Sequence, residues 1–149
     1  MKISKASIFN GLLLAGAAIS LSLANPGNAE AQTTCSAATL NGNYIYAQDG
    51  YKNSVSEPFA QAGRETFDGN GNMSGVFSGN FNGTIVRGDY AGTYTVNPDD
   101  CSGSVTFTDS LNQTSHFDIY VADDGNEFVY VQTDENSITA AYERRKVSQ

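Results

Sequence analysis

A chain of 149 residues with 16 acidic and 8 basic side chains, one His, two Cys and no Trp has room for a single domain. Its formal charge of −8 repels phosphate backbones, which excludes nucleic acid as a partner and disfavours an anionic membrane face. The first segment reads as a targeting signal rather than as structure. Lys2 and Lys5 form a short positive head, an apolar run from Ala6 to Ala24 follows, and Pro26-Gly27 leads into Ala29 and Ala31. That is the grammar of a secretory signal peptide cleaved after Ala31, and it places the protein in a periplasm or outside the cell. The run is short and no basic stop-transfer cluster follows it, so no membrane span is expected once it is removed. Residues 1–31 carry Lys2, Lys5 and Glu30, so their removal leaves residues 32–149 with six basic and fifteen acidic side chains.

Beyond residue 31 only Leu40 and Leu111 represent leucine, against nine Val, four Ile, twelve Thr, eight Tyr and seven Phe. Branched and aromatic residues fit pleated sheets, and the many Gly and Asn residues supply turns. Nine short strand candidates follow in order. Asn43–Gln48 comes first. Pro58–Phe67 ends in Asp68-Gly69-Asn70-Gly71-Asn72, a strong hairpin signal. Met73–Phe81, Thr84–Asp89 and Gly92–Val96 come next, the last closed by Asn97-Pro98-Asp99-Asp100. Ser102–Thr108 and Thr114–Val121 follow, then Asp123-Asp124-Gly125-Asn126, and finally Glu127–Thr133 and Ser137–Arg144. Turns about ten residues apart predict an all-β single domain, an antiparallel up-and-down barrel of about eight strands, with a β-sandwich as the alternative.

Two cysteines in an exported chain predict a Cys35–Cys101 disulfide. Nothing in the sequence asks for a metal or a cofactor. Asp68, Asn70, Asn72 and Ser74 alternate like a calcium loop, but Met73 and Gly79 stand where that loop needs Gly and Glu. His116 shares its phase with Asp118 and Tyr120, opposite Ser115, Phe117, Ile119 and Val121, and is expected outside. Phe107, Phe117, Ile119, Val129 and Val131 are expected inside.

Glu65 is the one candidate for acid–base chemistry. It shares its phase with Phe59, Gln61 and Phe67, so it points inward if they do, and burial would raise its pKa. The competing expectation is that Glu65 pairs with Arg64 or Arg144 at a barrel mouth. Tyr44, Tyr46 and Tyr94 offer an apolar ring with a hydrogen-bonding tip, which suits a ligand pocket as well as ordinary core filling. With Gln61 and Glu65 they form the predicted ligand-binding set.

The stretches Thr66–Asn72, Gly92–Asn97, Cys101–Phe107, Phe117–Val121 and Ala140–Arg145 together resemble small exported bacterial proteins of the allene oxide cyclase barrel-like group. The wider group includes a plant cyclase and the dirigent proteins. The resemblance implies an eight-stranded antiparallel barrel with an apolar cavity and carries over no catalytic residue. Three readings follow: a barrel that binds a small apolar or aromatic molecule, a cyclase or isomerase, and a solid barrel with a structural role. Whether the chain forms a homo-oligomer stays open.

Overall fold

The structure, a computed structural model, describes residues 34–52 and 56–146. The expected signal peptide lies outside the described residues. Eight antiparallel strands close on themselves in chain order, so the sandwich alternative does not hold. They are β1 (Asn41–Lys52), β2 (Glu57–Asp68), β3 (Asn72–Phe81), β4 (Thr84–Val96), β5 (Ser102–Asp109), β6 (Thr114–Val121), β7 (Glu127–Gln132) and β8 (Ile138–Arg145). Closure runs through the pairing of β8 with β1, Tyr46 opposite Glu143 and Gln48 opposite Ala141. It leaves no unpaired sheet edge.

The turn signals act through side chains. The Asp68 carboxylate accepts hydrogen bonds from the backbone N–H of Asn70 at 2.7 Å and of Asn72 at 3.0 Å, and one from the Asn72 amide at 2.7 Å. This fixes the β2–β3 hairpin and uses the groups that a calcium loop would have needed free. Asp124 does the same for the β6–β7 hairpin, accepting from the Asn126 N–H at 2.9 Å.

Two strand expectations need correction. Thr84–Asp89 and Gly92–Val96 form one 13-residue strand, β4. Gly92 reads as the start of a new strand, yet it is a position of close approach. A Cβ on Gly92 would collide with the Thr106 carbonyl of the next strand. In β7, Val129 and Val131 are exposed, while Phe128 and Tyr130 are buried. Pairing decides this: Phe128 faces Val121 and Tyr130 faces Ile119 across the ladder, and directly opposed residues share a face. In β6 the expected phase holds, with Phe117 and Ile119 buried and His116 and Asp118 exposed. Phe107 is half-buried.

One end of the barrel is sealed. A 3-10 turn, Ala37–Thr39, and buried Leu40 lie across it. Tyr94 sets its hydroxyl 2.7 Å from the Ala37 carbonyl and 2.8 Å from that of Leu40. Arg145 donates to the Thr39 carbonyl at 3.1 Å, the Gly125 carbonyl at 3.0 Å and the Tyr44 hydroxyl at 2.9 Å. Beneath them Phe67 meets Tyr44, Tyr94 and Phe128 edge-on, with centroids 5.0–5.5 Å apart. The Cys35–Cys101 disulfide ties this arm to the β4–β5 turn, with Cα atoms 5.3 Å apart and both residues buried. On the outer wall, Tyr120, Val129, Val131, Tyr142 and Ile45 form an apolar stripe over β6, β7, β8 and β1.

Candidate functional site

The opposite end is hollow. Inward residues near the ends of seven strands enclose a cavity of about 410 Å³. That is ample for one small organic molecule. The walls are aromatic: Phe59 from β2, Phe77 and Phe81 from β3, Tyr90 from β4, Phe107 from β5 and Phe117 from β6. Phe59 and Phe81 stack at 5.5 Å, and Tyr90 and Phe107 lie 4.6 Å apart. Lys52, Glu57, Asp109 and Gln113 stand at the mouth; Gln48, Gln61, Ser115 and Gln132 supply the other polar contacts.

Under this cup runs a buried polar layer. Tyr130 donates to the Gln48 side-chain oxygen at 2.9 Å, and the Gln61 amide reaches the Tyr46 hydroxyl at 3.5 Å. Tyr90, a wall residue, donates to Glu65 Oε1 at 2.6 Å. Glycines make this reach feasible. Gly75 opposes both Glu65 and Tyr90 across the ladder, and the Tyr90 ring lies where a Gly75 side chain would be. Gly63, opposite Tyr46, gives the Tyr46 ring the same room. Gly75→Ala should therefore cost about 1–3 kcal/mol, measured by urea unfolding, although alanine ordinarily serves a strand better than glycine. A variant as stable as the parent would show that the ring can move aside.

Glu65 is buried and faces a second buried carboxyl, Glu143, which is wholly inaccessible. A void of about 10 Å³ lies against both. With both carboxyls ionised no donor reaches the Glu143 oxygens, so a hydrogen bond between Glu143 and Glu65 requires one of the two to carry a proton. Burial pushes the Glu65 carboxyl up to about 7, against the Tyr90 hydrogen bond that holds it down. Burial, and then the charge of Glu65, push Glu143 well above the usual carboxyl range. Two carboxyls this close in an apolar core do not both ionise near neutrality, so Glu143 keeps its proton while Glu65 takes the charge. Burial also raises the Tyr46, Tyr90 and Tyr130 phenols, which stay protonated.

The expected pairing of Glu65 with Arg64 or Arg144 is replaced by Tyr90 and Glu143. Of the predicted ligand set, Gln61 lines the cup. Tyr46 and Glu65 lie one layer deeper, and Tyr44 and Tyr94 belong to the sealed end. Sequence reasoning missed Glu143, and of the phenylalanine wall it missed Phe77 and Phe81 while expecting Phe59, Phe107 and Phe117 inside. The alternation in β8 gave no signal for it, because the more apolar phase, Ile138, Ala140 and Tyr142, is the exposed one and Glu143 shares the other with Thr139 and Ala141.

His116 stays outside. Its Nδ1 lies 2.7 Å from Asp134 Oδ1, and its N–H donates to Asp134 Oδ2 at 2.9 Å, pinning the β7–β8 turn to β6. Among the described residues Cys35, Cys101 and Asp123 are close enough to suggest a metal site, but both sulfurs belong to the disulfide. No family model, curated protein or solved structure matches this chain.

Proposed function

We propose that the protein is an exported cup that holds one small apolar or aromatic molecule in the open half of its barrel. The observation carrying this reading is the cavity of about 410 Å³ walled by five phenylalanines and Tyr90, open at one end and sealed at the other. Side chains fill the sealed half, so a solid structural barrel would leave the hollow half without a purpose. Burying about 250 Å² of apolar ligand surface yields about 6 kcal/mol, so a fluorescent probe such as N-phenyl-1-naphthylamine should bind with Kd on the order of 10–100 μM. Ser115 lies on the cup wall, and Ser115→Phe should fill the cavity and weaken the probe by about tenfold or more. Tyr94→Phe, at the sealed end, should leave probe affinity unchanged. Equal loss in both variants, or no binding to the parent protein, would sink the reading.

One contact favours a second reading, a cyclase or isomerase of the allene oxide cyclase type. Tyr90 joins the cup wall to the Glu65–Glu143 pair and so gives a bound molecule a route to a group that exchanges protons. On this reading the protein accelerates rearrangement of an unsaturated fatty-acid epoxide, and Glu65→Gln lowers the rate about 10²-fold or more. A pure binder tolerates the same substitution.

A further inference from the structure

The mouth of the cup shows how its walls treat a cation, because the chain places one there. The Lys52 ammonium lies 5.3 Å from the centroid of the Phe81 ring and 5.8 Å from that of Phe59. These two rings stack with planes 14° apart and form one aromatic surface at the rim. An ammonium within about 6 Å of a ring centroid is attracted by the negative face of the ring. Lys52 also reaches Gln113 Oε1, on the β5–β6 turn, at 3.4 Å.

The charges around this surface favour a positive guest. Lys52 is the one basic residue among those lining the cup, and Glu57 and Asp109 stand with it. Asp109 Oδ1 accepts from the N–H groups of Leu111 and Gln113, both at 2.9 Å, which fixes a carboxylate at the mouth. The chain as a whole carries −8, a field that draws cations toward a low-dielectric cleft. An anionic guest would meet two carboxylates against the single Lys52 ammonium.

We propose that the cup takes an organic cation, a protonated or quaternary amine on an apolar body, with its ammonium at the Phe59–Phe81 surface and its body directed toward Phe107 and Phe117. The proposal rests on the cup-binding reading and adds the class of ligand. Lys52 then acts as a tethered occupant of the ammonium position, and an incoming amine displaces it.

The test uses three molecules of nearly the same shape: phenyltrimethylammonium, its neutral isostere tert-butylbenzene, and the anion 4-tert-butylbenzoate. Each is titrated against the folded protein carrying the neutral naphthylamine probe, and displacement is read by fluorescence. A plain apolar pocket prefers the neutral isostere, because the cation must give up its hydration. The proposal predicts the reverse, with the cation bound at least about tenfold more tightly than the neutral molecule. That advantage should shrink as salt rises from about 20 mM to about 500 mM. Lys52→Met removes the internal competitor and should strengthen cation binding severalfold more than it changes binding of the neutral isostere. Asp109→Asn should weaken the cation alone.

Neutral or anionic binding as tight as that of the cation would overturn the proposal and leave the cup-binding reading standing. Failure of the naphthylamine probe to bind at all would remove that reading and the proposal with it.

Discussion

Folding stability should fall as pH rises from about 4.5 through about 7 and beyond, and replacing both Glu65 and Glu143 with Gln should abolish that fall. Glu65 and Glu143 both titrate higher in the folded chain than in the unfolded one. Above the ordinary carboxyl value of 4.5 the folded state therefore holds more protons than the unfolded state. Stability is complete below that pH and is lost as pH climbs through the folded-state values. Moving Glu65 from 4.5 to about 7 alone corresponds to a loss on the order of 3 kcal/mol, and the Glu143 step adds to it. A glutamine at 143 keeps the volume, offers N–H donors toward the Glu65 carboxylate and carries no charge. Urea midpoints taken every half pH unit should slope downward for the parent, slope less steeply for Glu143→Gln, which keeps the Glu65 step, and run nearly flat for the double variant Glu65→Gln/Glu143→Gln. A parent midpoint constant across this range would show that the two carboxyls ionise in the folded barrel as readily as in the unfolded chain. The turn aspartates act the other way. Hydrogen bonds from Asn72 to Asp68 and from Asn126 to Asp124 hold those carboxyls low, so their contribution is present above the ordinary aspartate value and lost only in acid. The stability maximum is accordingly expected at mildly acidic pH.

Removing the disulfide should have a comparable effect. Cys35 and Cys101 are separated by 66 positions, and a loop of that size is worth about 4 kcal/mol on chain-entropy grounds. Replacing both cysteines with alanine should lower stability by about 2–5 kcal/mol, read from urea unfolding of purified protein. The damage should be local at first. Amide exchange should quicken over Ala37–Leu40, whose seal depends on Tyr94, Arg145 and the sulfur link. Probe binding at the far end should persist under conditions where the barrel stays folded. Loss of probe binding in a folded double variant would mean that the two ends are coupled, contrary to a seal and a cup that act separately.

Much of the fold was legible because its punctuation is local. Asp68, Asn97, Asp109 and Asp124 each accept hydrogen bonds from backbone N–H groups a few residues on, and such turns are written in four or five consecutive letters. The β6 phase was legible because His116 and Asp118 alternate with Phe117, Ile119 and Val121 through its middle. In β7 both phases are apolar, so nothing short of its pairing with β6 separates Val129 from Phe128. Glu65 could be placed inside by its phase, but its partners Tyr90 and Glu143 lie 25 and 78 positions away, and only barrel closure brings them together. Glu143 was hidden in another way: within Glu143-Arg144-Arg145 it reads as part of a solvated charged end. The buried polar layer beneath the cup escaped notice because glycines at 63 and 75 look like weak strand positions, whereas they give the Tyr46 and Tyr90 rings room to reach inward.

The sealed end has a consequence for how the molecule can be held. The arm carrying Cys35 passes over that end, and the chain leaves β8 there too, with the Lys146 N–H donating to the Asn43 carbonyl at 2.7 Å. Both described ends of the chain therefore emerge on the face opposite the mouth. A bead, a reporter domain or a cell surface joined at either end would leave the opening facing outward and unobstructed. A domain inserted at the β3–β4 turn, Asn82-Gly83, would instead stand beside the opening. Immobilisation through a terminus is thus the orientation in which ligand exchange should match that of the free protein, and insertion at Asn82-Gly83 the one in which it should slow.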